Sequence, residues 1–129
     1  YPPYPRGQPS GPGWMDRLSQ REEVKTNIEY EALCVRHNQD DVDELVELIT
    51  ETLYSTRTTI RINGEDIPSE QVKARFLTLN HEHVNYIFES LARNTTDIRN
   101  IRAYLLTALY NAPFTMNSYY QAEVRRDWG

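Results

Sequence analysis

Residues 40–53 read DDVDELVELITETL, and this stretch decides the fold. Val42, Leu45, Val46, Leu48, Ile49, Thr52 and Leu53 recur at helical spacing and form a wide apolar stripe. Such a stripe predicts a helix buried over much of its circumference. Asp40 and Asp41 stand where carboxylates cap a helix start and face its positive end. A helix this apolar must be surrounded, and the flanking sequence supplies the neighbours. Upstream, Ser19 and Glu22 have capping-box spacing, which places a helix start at Ser19. Val24, Ile28, Ala32 and Val35 then continue one face through Cys34 and His37, with room for a break near Asn27. Downstream, Thr58-Thr59-Ile60-Arg61-Ile62 alternates and is β-branched, Asn63-Gly64 is a two-residue hairpin signal, and Glu65-Asp66-Ile67 returns. This hairpin, at 58–67, is too short to stand alone and must lie on helices.

After Pro68 the period is helical again. Ser69 to Leu77 predicts a third helix with Val72, Phe76 and Leu79 inward. Asn80 is placed to cap a fourth, carrying Val84, Ile87, Phe88 and Leu91 and ending at Asn94. Asn100 is placed to cap a fifth, with Ile101, Tyr104, Leu105, Ala108 and Leu109 inward, which Pro113 ends. A last helix is expected from Asn117 to Trp128. The fold class is therefore mainly α, a compact bundle of about six helices carrying one small β-hairpin. No internal repeat and no second core is visible.

The 129 residues suit one domain, 14–129, behind a Pro/Gly-rich segment. Residues 1–13, YPPYPRGQPSGPG, hold five prolines and three glycines, which deny them both a helix ladder and a packed core. They read as a disordered interdomain linker, or alternatively as a polyproline ligand. With no initiator Met and no leader, the chain is expected to be an excised piece with another domain upstream. The net charge is −5, from 14 Lys and Arg against 19 Asp and Glu, which argues against a generic basic nucleic-acid coat. No apolar run approaches the roughly 20 residues that span a bilayer. Cys34 is the only cysteine, so neither an intrachain disulfide nor a cysteine zinc site is expected, and a reducing, cytoplasmic location follows. From 21 to 51, ten acids face three bases, a solvated acidic face that would also suit a basic partner.

The tools of catalysis are sparse. His81 and His83 are two apart, so they point to different sides of a helix and do not chelate as i, i+4 ligands do. They read as surface or capping groups. Cys34 and His37, one turn apart, have the residue types of a nucleophile pair, but a buried structural thiol explains Cys34 as well. Asp40 to Asp43 lacks the glycine and closing glutamate of a calcium loop. No phosphate-cradling or nucleophile-elbow motif occurs. No catalytic residue, metal or cofactor is expected.

The last third differs from the rest. Residues 93–126 carry Arg93, Arg99, Arg102, Arg125 and Arg126 against Asp97 and Glu123, interleaved with Tyr104, Tyr110, Tyr119 and Tyr120. Arginine with tyrosine suits both interface hot spots and single-stranded nucleic acid. If Pro113 folds the chain back, Arg99, Arg102, Tyr119, Arg125 and Arg126 converge into one partner- or DNA-binding site. Tyr119 and Tyr120 point about 100° apart on a helix. Tyr120 shares a stripe with Val124 and Trp128, which leaves Tyr119 as the contact.

Three blocks, taken in order, resemble one known family. They are Val24-Lys-Thr-Asn-Ile-Glu-Tyr-Glu-Ala-Leu33, Ile60-Arg-Ile-Asn-Gly-Glu-Asp-Ile-Pro-Ser-Glu-Gln-Val-Lys-Ala-Arg-Phe76, and the stretch from Asn94 through Pro113 to Tyr120. They resemble the C-terminal domain of replication initiator protein A of plasmids and conjugative transposons from Firmicutes. The resemblance covers roughly residues 20–120. It implies a winged-helix DNA-binding domain upstream across a variable linker, which agrees with 1–13. It further implies a looser similarity to the C-terminal module of the primosomal protein DnaD, whose late helix carries Tyr-x-x-x-Ile-x-x-x-Trp. Tyr120, Val124 and Trp128 keep that spacing with valine for isoleucine, a pattern an ordinary packing face also produces. The implied function is a non-enzymatic module that recruits host replication proteins, a primase or a helicase loader, with weak DNA contact at most. A direct DNA-binding module and an oligomerisation module are the other two readings.

Overall fold

The computed structural model describes residues 14–93 and 98–128, with side chains described over 16–93 and 98–115. The elements are α1 (Trp14–Asn27), α2 (Tyr30–Arg36), α3 (Gln39–Leu53), β1 (Thr59–Ile62), β2 (Glu65–Pro68), α4 (Ser69–Phe76), α5 (His81–Arg93) and α6 (Ile101–Trp128). The chain is mainly α with one two-stranded antiparallel sheet, as the periodicity requires. The expected linker, 1–13, lies outside the described residues.

The stripe of 40–53 becomes the central helix. Val42, Leu45, Val46, Leu48 and Ile49 of α3 are buried, and α1, α2, α4 and α6 all pack on this helix. Its two buried hydroxyls cost nothing in lost hydrogen bonds, because Thr50 and Thr52 donate to the carbonyls of Val46 and Leu48, each at 2.8 Å. The cap is Asn38, not Asp40 or Asp41: the Asn38 Oδ1 accepts from the Asp40 and Asp41 backbone N–H groups at 2.8 and 3.4 Å. The two carboxylates do stand in the first turn, facing the positive helix end.

α1 starts at Trp14, so Ser19 and Glu22 lie inside a helix rather than boxing its start. The break near Asn27 is real. Glu29 takes a left-handed conformation, φ 55°, which ends α1 and starts α2 in a new rotational phase. That single residue explains a correction on α2. Leu33 is buried there, whereas Ala32 is exposed and Val35 stands 86% exposed, opposite to an uninterrupted period.

The hairpin pairs Ile60 with Ile67 and Ile62 with Glu65, leaving Asn63-Gly64 as a two-residue turn with φ of 52° and 82°. Positive φ at both positions is the type I′ geometry that matches strand twist. Ile60 and Ile62 enter the core while Thr59 and Arg61 face out. The turn is docked on α6, where the Asn63 N–H donates to Thr107 Oγ1 at 3.1 Å.

α5 is opened by a reciprocal cap. Asn80 Oδ1 accepts from the His83 N–H at 3.1 Å, and His83 Nδ1 accepts from the Asn80 N–H at 3.2 Å. α6 opens on Asn100, whose Oδ1 accepts from the Ala103 N–H at 3.1 Å. Pro113 does not end this helix. α6 runs 28 residues through it, so the two last helices expected from the sequence are one. A helical proline removes its own N–H and presses on the carbonyl four residues back. For Pro113 that carbonyl belongs to Leu109, and the Arg75 guanidinium braces the next one along: its Nη1 donates to the Tyr110 carbonyl at 3.0 Å, and its centre lies 4.0 Å from the Tyr110 ring and 4.3 Å from the Phe114 ring. Ile101, expected inward, stands 48% exposed in the first turn of α6.

Candidate functional site

The basic, tyrosine-bearing segment divides along α6. Arg99 lies exposed just before the helix and Arg102 in its first turn, while Arg125 and Arg126 lie near its far end. Because the helix is continuous, Arg102 and Arg125 are separated by about 35 Å of axial rise. The convergence expected from a fold-back at Pro113 therefore does not form. The side chains of Tyr119, Tyr120, Val124, Arg125, Arg126 and Trp128 lie outside the described residues.

The described half of the patch faces the hairpin. A groove of about 690 Å3 runs between the Asn63-Gly64 turn and the start of α6, with Arg61, Asn100, Arg102, Tyr104 and Thr107 along it. Strand alternation aims Arg61 outward, and the cap at Asn100 fixes where α6 begins. Both guanidiniums are already paired. Arg61 Nη1 lies 3.2 Å from Asp66 Oδ1 across the hairpin, and Arg102 Nη2 lies 2.6 Å from Glu51 Oε1 on α3. Exposed pairs of this kind hold little energy, but each carboxylate offsets part of the charge its arginine presents. Arg99 is the cation here with no ion pair among the described residues. The groove thus offers hydrogen-bond donors and two ion-paired guanidiniums, with Arg99 just before Asn100 in the chain.

Sequence reasoning missed Arg61 as a member of this surface. The signal was present, since its two isoleucine neighbours point inward and force it out. Asn63 and Thr107 could not be found that way, because only tertiary docking joins residues 44 positions apart.

Of the remaining chemistry-bearing side chains, His81 has a buried Nε2 with no hydrogen-bond partner among the described residues, and the others are held in structural contacts. His37 Nε2 meets Asn85 Oδ1 at 2.8 Å and its ring leans on Phe88, 4.8 Å between centroids. The half-buried Cys34 lies beside the Tyr30 hydroxyl, which donates to Asp43. That bond to Asp43, with burial second, pushes Tyr30 up to about 12. Burial holds His83 below its ordinary value of 6.5. Among the described residues no group of three or more His, Cys, Asp or Glu is placed to hold a metal ion. No described helix is long and apolar enough to cross a membrane.

Comparison with known proteins gives one finding. A model of a family of unknown function, DUF6017, matches residues 13–129. The chain belongs to that family. The match spans every described element, so the fold above is a view of the DUF6017 domain itself. No curated protein and no solved structure matches the chain.

Proposed function

We propose that this DUF6017 domain is a non-catalytic C-terminal module of a plasmid or conjugative-transposon replication initiator. It acts in the cytoplasm and recruits a host primase or helicase loader to an origin held by an upstream winged-helix domain. The observation that carries the reading is the ordered resemblance of three blocks to initiator C-terminal domains. Those blocks fall on α1 and α2, on the hairpin with α4, and on α6, elements that share one core. Tethering supplies the physics. A linker such as 1–13 holds the module near the origin at an effective concentration of about millimolar, so a weak contact suffices.

The test is a titration of the 129-residue chain into purified Firmicute primase and, separately, helicase loader, followed by calorimetry. Saturable binding to one of them supports the reading; no heat with either counts against it. The direct DNA reading draws on Arg99 and on the arginines at the end of α6. Its mark is strong salt dependence, because phosphate contacts release counterions.

A further inference from the structure

A second groove, of about 530 Å3, lies on another side of α6, between the start of α3, the end of α5 and the first turns of α6. Phe88, Leu91, Ile101 and Leu105 form its apolar floor. Ile101 is 48% exposed and extends the apolar surface of Phe88, Leu91 and Leu105 to the rim. On the α3 side the rim carries Asp41 and Glu44.

Partnering separates these two carboxylates from Glu22, Asp43, Glu47 and Glu51 of the acidic 21–51 segment, and the groove separates them from its other acids unpaired among the described residues, Glu23, Glu29, Glu31 and Asp40. Glu47 is paired with Arg17 and Arg21, Glu51 with Arg102, and Glu22 with Lys25, while Asp43 accepts from Tyr30. The carboxylates of Asp41 and Glu44 have no hydrogen bond or ion pair among the described residues. The cation on the same rim, Arg36, already has a partner. Its Nη2 lies 3.6 Å from Glu89 of α5, which also accepts from Asn85. The apolar floor is therefore bordered by two carboxylates without a partner and one cation that has one, a net negative rim.

We propose that this groove docks an amphipathic, basic helix of the recruited protein. Apolar side chains at i, i+3, i+4 and i+7 would cover Phe88, Leu91, Ile101 and Leu105, and lysines or arginines beside them would reach Asp41 and Glu44. A helix fits better than an extended strand because the groove walls are helices. They offer side chains but no unpaired sheet edge, and a helix arrives with its own backbone bonds made. DNA is disfavoured by the same rim, which repels phosphate. The proposal rests on the recruiting reading and gives the partner's segment its chemistry.

The test uses a fluorescent Leu/Lys model peptide of about five helical turns with leucines at i, i+3, i+4 and i+7. Its comparators are a scrambled peptide of the same composition and a version with every Lys replaced by Glu. Each is titrated into the 15N-labelled 129-residue chain. The expected result is saturable binding of the patterned Lys peptide alone, with amide shifts centred on Leu91, Ile101 and Leu105. Asp41→Asn with Glu44→Lys, and separately Ile101→Gln, should each weaken it about tenfold at unchanged circular dichroism. Equal binding of the scrambled or Glu peptide overturns the proposal, as do shifts centred elsewhere or variants that bind like the parent. A dimer of the chain that Ile101→Gln dissolves assigns the groove to a second copy and also overturns it. No replication protein enters this titration. A failure here leaves the primase and loader titrations to judge recruitment, and their failure leaves the groove's own result standing.

Discussion

Gly64 shows how one residue sets a local structure that sequence can read. Its φ of 82° is free for glycine and strained for a β-branched residue, and an added Cβ would meet nothing within 4 Å. The cost of Gly64→Val is therefore conformational rather than steric crowding, about 1 to 3 kcal/mol, measurable by urea unfolding. A neutral result would mean that the turn is not held as type I′. His83 makes a pH-dependent prediction. Burial lowers its folded value below 6.5, and its Nδ1 serves as an acceptor for the Asn80 N–H. Just below 6.5 the unfolded chain binds a proton that the folded chain refuses, so this contribution to stability is present above that pH and lost as acid is added. The stability advantage of the parent over His83→Gln should shrink between about pH 7.5 and about pH 5. A constant difference across that range would contradict the cap geometry. Asn80 was legible as a cap from its position before an apolar period. Its reciprocal partner was not, because histidine at the third helical position carries no general capping signal.

At the scale of elements, sequence reading succeeded wherever period and burial agree, and failed where one residue overrides a local rule. The α3 stripe from Val42 to Thr52, Ile60 and Ile62 of the hairpin, and Val72, Phe76 and Leu79 are all buried as their spacing requires, with Leu53 half-buried at the end of the stripe. Leu48→Asp should unfold the domain, since it buries an unpaired charge at a site 4% exposed. Leu105→Asp should cost less, because Leu105 is half-buried and lines an open groove. Equal losses in the two variants, read by thermal melting, would misplace α6. Pro113 is the override that misled the pattern. Its stop signal is countered by packing, with Arg75 from α4 bonding the Tyr110 carbonyl and stacking on the rings before and after the proline. Pro113→Ala should raise stability by about 1 to 3 kcal/mol. Arg75→Ala should lower it by about 1 to 2 kcal/mol. In the double variant the Arg75→Ala cost should fall, because without the proline's bend the Tyr110 carbonyl returns to its own helical donor, the Phe114 N–H, and relies less on the guanidinium. Strict additivity in that cycle would mean that Arg75 serves packing alone. The Glu29 break is the other override: a left-handed non-glycine residue has no sequence mark, and it rotated Val35 out of the core.

For the whole molecule, the fold class was legible because apolar periodicity is a property of single elements. The candidate site was legible only in composition. Arg99 and Arg102 stand out by residue type, but their placement relative to Arg125 and Arg126 depends on whether α6 continues, a tertiary outcome. With a net charge of −5 and two arginines of the hairpin groove already ion-paired, the chain should bind duplex DNA weakly or not at all at physiological salt. Binding in fluorescence anisotropy that survives about 0.2 M salt would favour direct DNA recognition instead. Recruitment itself is tested most directly by moving it to a new address. The 129-residue chain is fused to an unrelated sequence-specific DNA-binding domain and expressed in a Firmicute host carrying the matching operator on a plasmid. Crosslinking and immunoprecipitation of primase and helicase loader are then quantified at the operator. Enrichment of at least one of them over the DNA-binding domain alone is the predicted result. An occupied operator with neither protein enriched would contradict the recruiting module.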